Sequence, residues 1–289
     1  MNDELCFEPM DLGTLLDRTF KIYFRNIKLL LGIVGVSYLP LLVFGIFFAI
    51  FFNFFDESIT ASEDIVGPVI ILFAGAFGFI ILYWLSMTFA AAATCFAVSK
   101  RYLGEPVGVM ESFRHVSTRL GPLLVAQLIV GLIVGVGALL CLLPGLFLLV
   151  AYAIVIPVMT LENVSSEDGR TRAWDLLKNY RWMTVGILLL LGFISAGLSM
   201  GVSMFFQVGG LVLQGSENSE MLMVIMMILS QLGSMAASIL VMPLNGIATT
   251  LLYYNARIRE EGFDLEMLAE NILGSDERGG ESPYNADAY

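Results

Sequence analysis

"LLCLLPGLFLL", residues 139–149, lies inside a run from Gly121 to Leu161 that holds no Asp, Glu, Lys, Arg or His in 41 positions. As a helix rising ~1.5 Å per residue, that run would measure about 60 Å, twice the ~30 Å hydrocarbon core of a bilayer. One crossing is too few. Pro144 has no backbone N–H to give a helix, and Gly145 beside it accepts turn geometry. The run therefore reads as two spans, about 122–141 and 146–161, joined by a tight apolar turn at Leu143-Pro144-Gly145. The carbonyls of a turn need water, which places Pro144 at a membrane surface.

The rest of the chain fits that reading. Hydrophobic residues make up 57% and charged residues 14% of the 289 positions, against ~25% charged in an average soluble domain. Four further charge-free runs bring the expected spans to six, at about 29–55, 65–99, 122–141, 146–161, 183–214 and 221–255. The 15 Lys and Arg test the parity. Four fall before residue 29, four at 100–120, four at 162–182 and three after 256, and none lies in the intervening loops at 56–64, 142–145 and 215–220. Basic residues are retained on the cytoplasmic side, so both termini are expected there, and the break near Pro144 is needed to keep residues 162–182 on that side. The 35 residues from Ile65 to Ser99 exceed one span, and their surplus is expected to project into the cytoplasm or be taken up by tilt. Residues 1–9 read as a polar N-terminal segment with no cleaved signal. Residues 269–289 read as an acidic disordered tail, in a terminal region where nine of the 26 acids lie between 260 and 289.

Each basic segment ahead of a pair of spans has helical apolar spacing. Leu12, Leu15, Leu16, Thr19, Phe20, Tyr23 and Ile27 share one face, as do Val109, Phe113, Val116 and Leu120, and then Ala173, Leu176, Leu177 and Tyr180. The expected fold is an all-α integral membrane protein: six transmembrane helices as three hairpins, each preceded by a cytoplasmic interfacial amphipathic helix. Such helices put the apolar face in the acyl boundary and the basic groups toward anionic headgroups. Arg18, Arg25, Arg181, Arg257 and Arg259 are the candidate lipid headgroup contacts, with Tyr253 and Tyr254 as an aromatic belt beside the last two. Pro40, Pro157 and Pro243 are expected to kink their spans, and Asn245, two residues beyond Pro243, is the intramembrane polar residue of interest.

No catalytic, cofactor-binding or metal-binding residues are assigned. Cys6, Cys95 and Cys141 are single and far apart, and His115 is the one histidine, expected on a solvated face. Gly131 with Gly135, Gly197 with Gly201, and Ala90 to Ala93 permit close helix approach, within the bundle or between copies. The cytoplasmic segments carry 20 acids beside their basic residues, which argues against nucleic acid and for membrane lipids as partners, together with a membrane protein or a second copy of the chain.

"GTLLDRTFKIYFRN" at 13–26, "LPG" at 143–145, "VMTLENVSSEDGRTRAWDLLKNYRW" at 158–182 and "TLLYYNARIREEGFDLE" at 250–266 resemble the membrane-domain family named after glycerophosphoryl diester phosphodiesterase. The resemblance covers residues 10–268 and implies a six-helix protein of a prokaryotic plasma membrane. Where that family's pattern often has an acidic residue after the paired tyrosines, this chain has Asn255. The family's catalytic domain, with paired histidines and metal-binding carboxylates, has no counterpart here, so the enzymatic name does not carry over. The expectation is a non-enzymatic accessory or scaffold protein in a membrane or envelope process that binds anionic lipid. The rival is a permease-like or lipid-translocating protein.

Overall fold

The computed structural model describes residues 9–60, 66–212 and 219–262. The polar segment before residue 9, residues 61–64 of the loop expected at 56–64, the connection at 213–218 and the acidic tail lie outside the described residues; the first part of that expected loop, 56–60, continues the preceding helix. Among the described residues the chain is helical, without strands: α1 (Leu12–Arg25), α2 (Ile27–Thr60), α3 (Val66–Tyr102), α4 (Val109–Ser117), α5 (Leu120–Leu140), α6 (Leu142–Ala151), α7 (Val155–Glu162), α8 (Ser166–Leu176), α9 (Arg181–Val212) and α10 (Ser219–Glu261). Six stretches are long and apolar enough to cross a membrane: Ile27–Phe48, Val69–Tyr102, Leu120–Leu140, Leu142–Glu162, Arg181–Gly209 and Ile228–Glu261. This is a multi-pass membrane protein.

The break in the 121–161 run falls at Cys141, three residues before the expected position. Cys141 is extended (φ −167°, ψ 143°) and separates α5 from α6. Pro144 is not in the turn; it occupies the first turn of α6, where a missing N–H costs nothing. Its ring disrupts the helix four residues upstream, at Leu140, where α5 ends. Gly145 likewise has a packing role: a Cβ there would stand 2.6 Å from the Ala138 Cα, so its bareness lets α5 and α6 touch. Pro157 acts in the same way. Instead of kinking one span, it follows a second break at Tyr152–Ile154 and sits in the first turn of α7. Pro40 and Pro243 lie inside α2 and α10.

The main helix contacts are α2 with α3, α5 with α6, and α9 with α10, while α10 also touches α1, α2 and α3. The large buried core gathers the N-terminal parts of α2, α5 and α9, the C-terminal parts of α3 and α10, and α7. All of these lie toward the basic segments. In α3 the residues beyond one membrane thickness are covered by protein, with Ala92 through Ser99 all buried. Toward the other end, large apolar side chains such as Phe47, Phe73, Leu132, Phe193 and Phe205 are exposed. The helices there present apolar surface outward, as a bilayer requires.

The short helices also dock on protein. Leu15, Thr19 and Tyr23 of α1, Ser112 and Val116 of α4, and Ala173 and Leu176 of α8 are buried, and their apolar members join the main core. The apolar faces expected in the acyl boundary thus pack largely on the bundle, which supplies the same desolvation. A single residue, Asn26, separates α1 from α2; its side-chain amide donates to the Ile22 carbonyl at 3.1 Å and ends α1.

Candidate functional site: the charged end of the bundle

The polar residues at the basic end form three groups. The first is an ion-pair lock. The Arg172 guanidinium on α8 lies 2.7 Å from Glu162 at the end of α7 and 2.6 Å from Glu261 at the end of α10. Arg257 pairs with the same Glu261 at 3.0 Å, and the Tyr253 hydroxyl donates to Glu162 at 3.0 Å. The hydrogen bond to Glu162, opposed by burial and assisted by Glu261, holds Arg172 even more firmly protonated than a free guanidinium. This group joins α7 and α8, neighbours in the sequence, to the end of α10. Asn179 adds a bond to Glu260 at 2.9 Å.

The second group is a strap. Asn255 is fully buried, and its side-chain oxygen accepts the Met10 N–H at 2.8 Å. Arg259 donates to the Met10 carbonyl at 3.0 Å and lies over the Tyr180 ring, 5.6 Å from its centroid. The segment entering α1 is thereby pinned to α10, with Asp11 capping α1 through the Thr14 N–H at 2.8 Å. Asn255 supplies a neutral acceptor where water is excluded.

The third group surrounds Trp174. The Arg181 guanidinium lies 4.4 Å from the Trp174 ring centroid and 4.6 Å from that of Phe147, and its Nε is buried without a hydrogen-bond partner. Tyr152, at the α6–α7 break, packs on the other part of Trp174 with centroids 5.6 Å apart. Beside them is a cavity of about 360 Å3 lined by Ile129, Ile133, Tyr152, Glu167, Arg170 and Trp174 among others. Two features hold α8 in place to form its wall. The Ser166 hydroxyl donates to the Pro122 carbonyl at 2.7 Å, and Gly169 is buried where a Cβ would meet the Met159 Cγ at 2.5 Å.

The five arginines singled out from sequence are therefore not gathered into one site. Arg257 and Arg259 belong to the lock and the strap, Arg181 to the aromatic group, and Arg18 donates to the Tyr102 hydroxyl at 3.4 Å. Arg25 is exposed at the end of α1. Tyr253 and Tyr254 are buried core residues, with Tyr254 2.6 Å from the Ser99 hydroxyl; a paired tyrosine at a span end reads as a belt from sequence, and only the fold shows what covers it. His115 is stacked on Phe96 with centroids 4.0 Å apart. Asn245 is half-buried, and its carbonyl accepts the Thr249 hydroxyl at 2.9 Å. Sequence reading missed Arg172, Glu162 and Glu261; only Glu162 carried a signal, as the charge directly after the apolar run that ends at Leu161. Among the described residues, no group of three His, Cys, Asp or Glu is placed to hold a metal ion.

Comparison with known protein families, with curated proteins and with solved structures finds no match for this chain.

Proposed function

We propose that the chain is a non-enzymatic scaffold or accessory protein of a prokaryotic plasma membrane, related to the six-helix family its motifs resemble. Its three hairpins are α2–α3, α5–α6/α7 and α9–α10, preceded by the interfacial helices α1, α4 and α8, with both termini cytosolic. The observation that supports it is the lock of Glu162, Arg172, Arg257 and Glu261. These charges hold helices to one another at one membrane surface, which makes a fixed platform there, and Arg25 at the end of α1 faces anionic headgroups. A membrane protein or a second copy of the chain is the proposed partner.

Cys141 supplies a native probe of the arrangement, since it is exposed at the α5–α6 break. In intact cells carrying Cys6→Ser, Cys141 is expected to react with a membrane-impermeant maleimide. In a chain that also carries Cys141→Ser, a cysteine introduced by Thr118→Cys is expected to react only after permeabilisation. The reverse pattern would reject the orientation.

The permease-like reading is favoured by one observation, the unwound Tyr152–Ile154 segment inside the fourth crossing, because transporters build sites from interrupted helices. Reconstituted liposomes separate the two. A scaffold passes no candidate solute or labelled lipid, whereas specific flux abolished by Asn245→Ala would sink the scaffold reading.

A further inference from the structure

Two opposite charges line one cavity without meeting. Glu167, exposed, and Arg170, half-buried, stand three residues apart on α8 and both line the 360 Å3 space, a spacing at which opposite charges can pair along a helix. Among the described residues neither has an opposite charge within ion-pair distance. Tyr152 and Trp174 line the same space, together with the apolar pair Ile129 and Ile133 on α5. Arg181, also without a carboxylate partner, shares Trp174 with the cavity. Trp182, next in the chain, is 88% exposed, as suits a residue at a headgroup layer.

We infer that this cavity binds an aminophospholipid, whose headgroup carries both a phosphodiester and a primary ammonium. Arg170 takes the phosphodiester oxygens, with Arg181 adding positive potential from behind Trp174. Glu167 accepts from the ammonium, which also lies over the aromatic faces. The acyl chains leave along Ile129 and Ile133 toward the exposed apolar side of α5. A cavity of 360 Å3 is at the low end of the ~300–1,000 Å3 typical of small-molecule sites, enough for a headgroup and not for whole chains. A lipid with a purely anionic headgroup leaves Glu167 unpaired and repelled. The inference rests on the proposed position of α8 at the cytosolic membrane surface.

The test is native mass spectrometry of the full chain in mild detergent, titrated with dioctanoyl phosphatidylethanolamine, phosphatidylglycerol and phosphatidylcholine, and with chain-free glycerophosphoethanolamine. Phosphatidylethanolamine is expected to bind at least about tenfold more tightly than the other lipids and than the free headgroup. Glu167→Gln is expected to abolish the preference over phosphatidylcholine, and Arg170→Gln to weaken all three lipids. Arg114→Gln, on α4, is expected to change nothing. Equal binding of the three lipids, or a preference untouched by Glu167→Gln, would overturn the inference. So would tighter binding of phosphatidylglycerol, and free headgroup binding as well as the lipid would overturn the lipid as its source. Thermal midpoints of the two α8 variants are read alongside, and an unchanged midpoint with lost preference supports the inference. Cys141 labelling separates the failures: correct labelling with indifferent lipid binding removes only this site, while cytosolic labelling removes the underlying placement.

Discussion

Replacing Asn255 by Ala removes the acceptor of the Met10 N–H in a place closed to water, Asn255 and Met10 being at most 1% exposed. Leaving that donor unpaired is expected to cost about 1–3 kcal/mol, measured as a lower thermal midpoint in detergent and as faster proteolysis ahead of α1. Asp11 gives a pH-dependent effect at the same junction. The Thr14 side chain, then the Thr14 backbone N–H, hold its carboxyl below the ordinary carboxylate range. A depressed pKa contributes stability above the unfolded value of ~3.9, lost as pH falls through the lower folded value. The Thr14 amide resonance should report that titration, and Asp11→Asn should keep the cap while abolishing it. Glycines divide just as sharply. Gly145→Ala drives a methyl into the Ala138 backbone and should destabilise by about 1–3 kcal/mol. Gly135→Ala, with nothing within 4 Å of the added carbon, should leave the midpoint unchanged.

Among elements, the prolines show how far sequence reading reaches. That the run 121–161 must break was legible from its length, because no single helix of that length matches a bilayer. Where it breaks was not. A proline's clash is with the carbonyl four residues earlier, so Pro144 and Pro157 mark the starts of α6 and α7 and their breaks lie upstream. Pro157→Ala restores an N–H donor for the Ala153 carbonyl and is expected to join α6 to α7, moving Tyr152 off Trp174. Spin labels at Leu149 and Leu161 should then show a single, altered distance; an unchanged distance would mean that packing, not the proline, holds the break. The glycine pairs Gly131–Gly135 and Gly197–Gly201 were legible as close-approach spacing, yet among the described residues a Cβ added at any of the four would meet nothing within 4 Å. Spacing alone does not say which side of a helix is covered.

At the scale of the whole molecule, six crossings follow from composition, since the solvent decides that six apolar stretches become helices. The lopsided burial was hidden, because a residue facing lipid and one facing protein are equally apolar. Only the charged ends distinguish them, and the lock shows how. Arg172→Gln leaves Glu162 and Glu261 short of their shared cation and should lower stability by about 1–2 kcal/mol, reduced from a buried-pair value because the side chain is partly exposed. The same substitution at Arg119 should be close to silent. If both variants melt alike, the lock is not what joins the helices.

The strap sets an order of assembly. Met10 meets its partner 245 residues later, and α10, the last crossing, is also the helix that touches α1, α2 and α3. During synthesis the earlier apolar helices must therefore wait in the lipid, each adequately solvated but without its last partner, until the ribosome has released Arg259. Closure is a late, long-range step of the kind that slows folding. A nascent chain arrested ahead of α10 should be inserted yet open to protease at its beginning, whereas one arrested well beyond residue 262 should be sealed there.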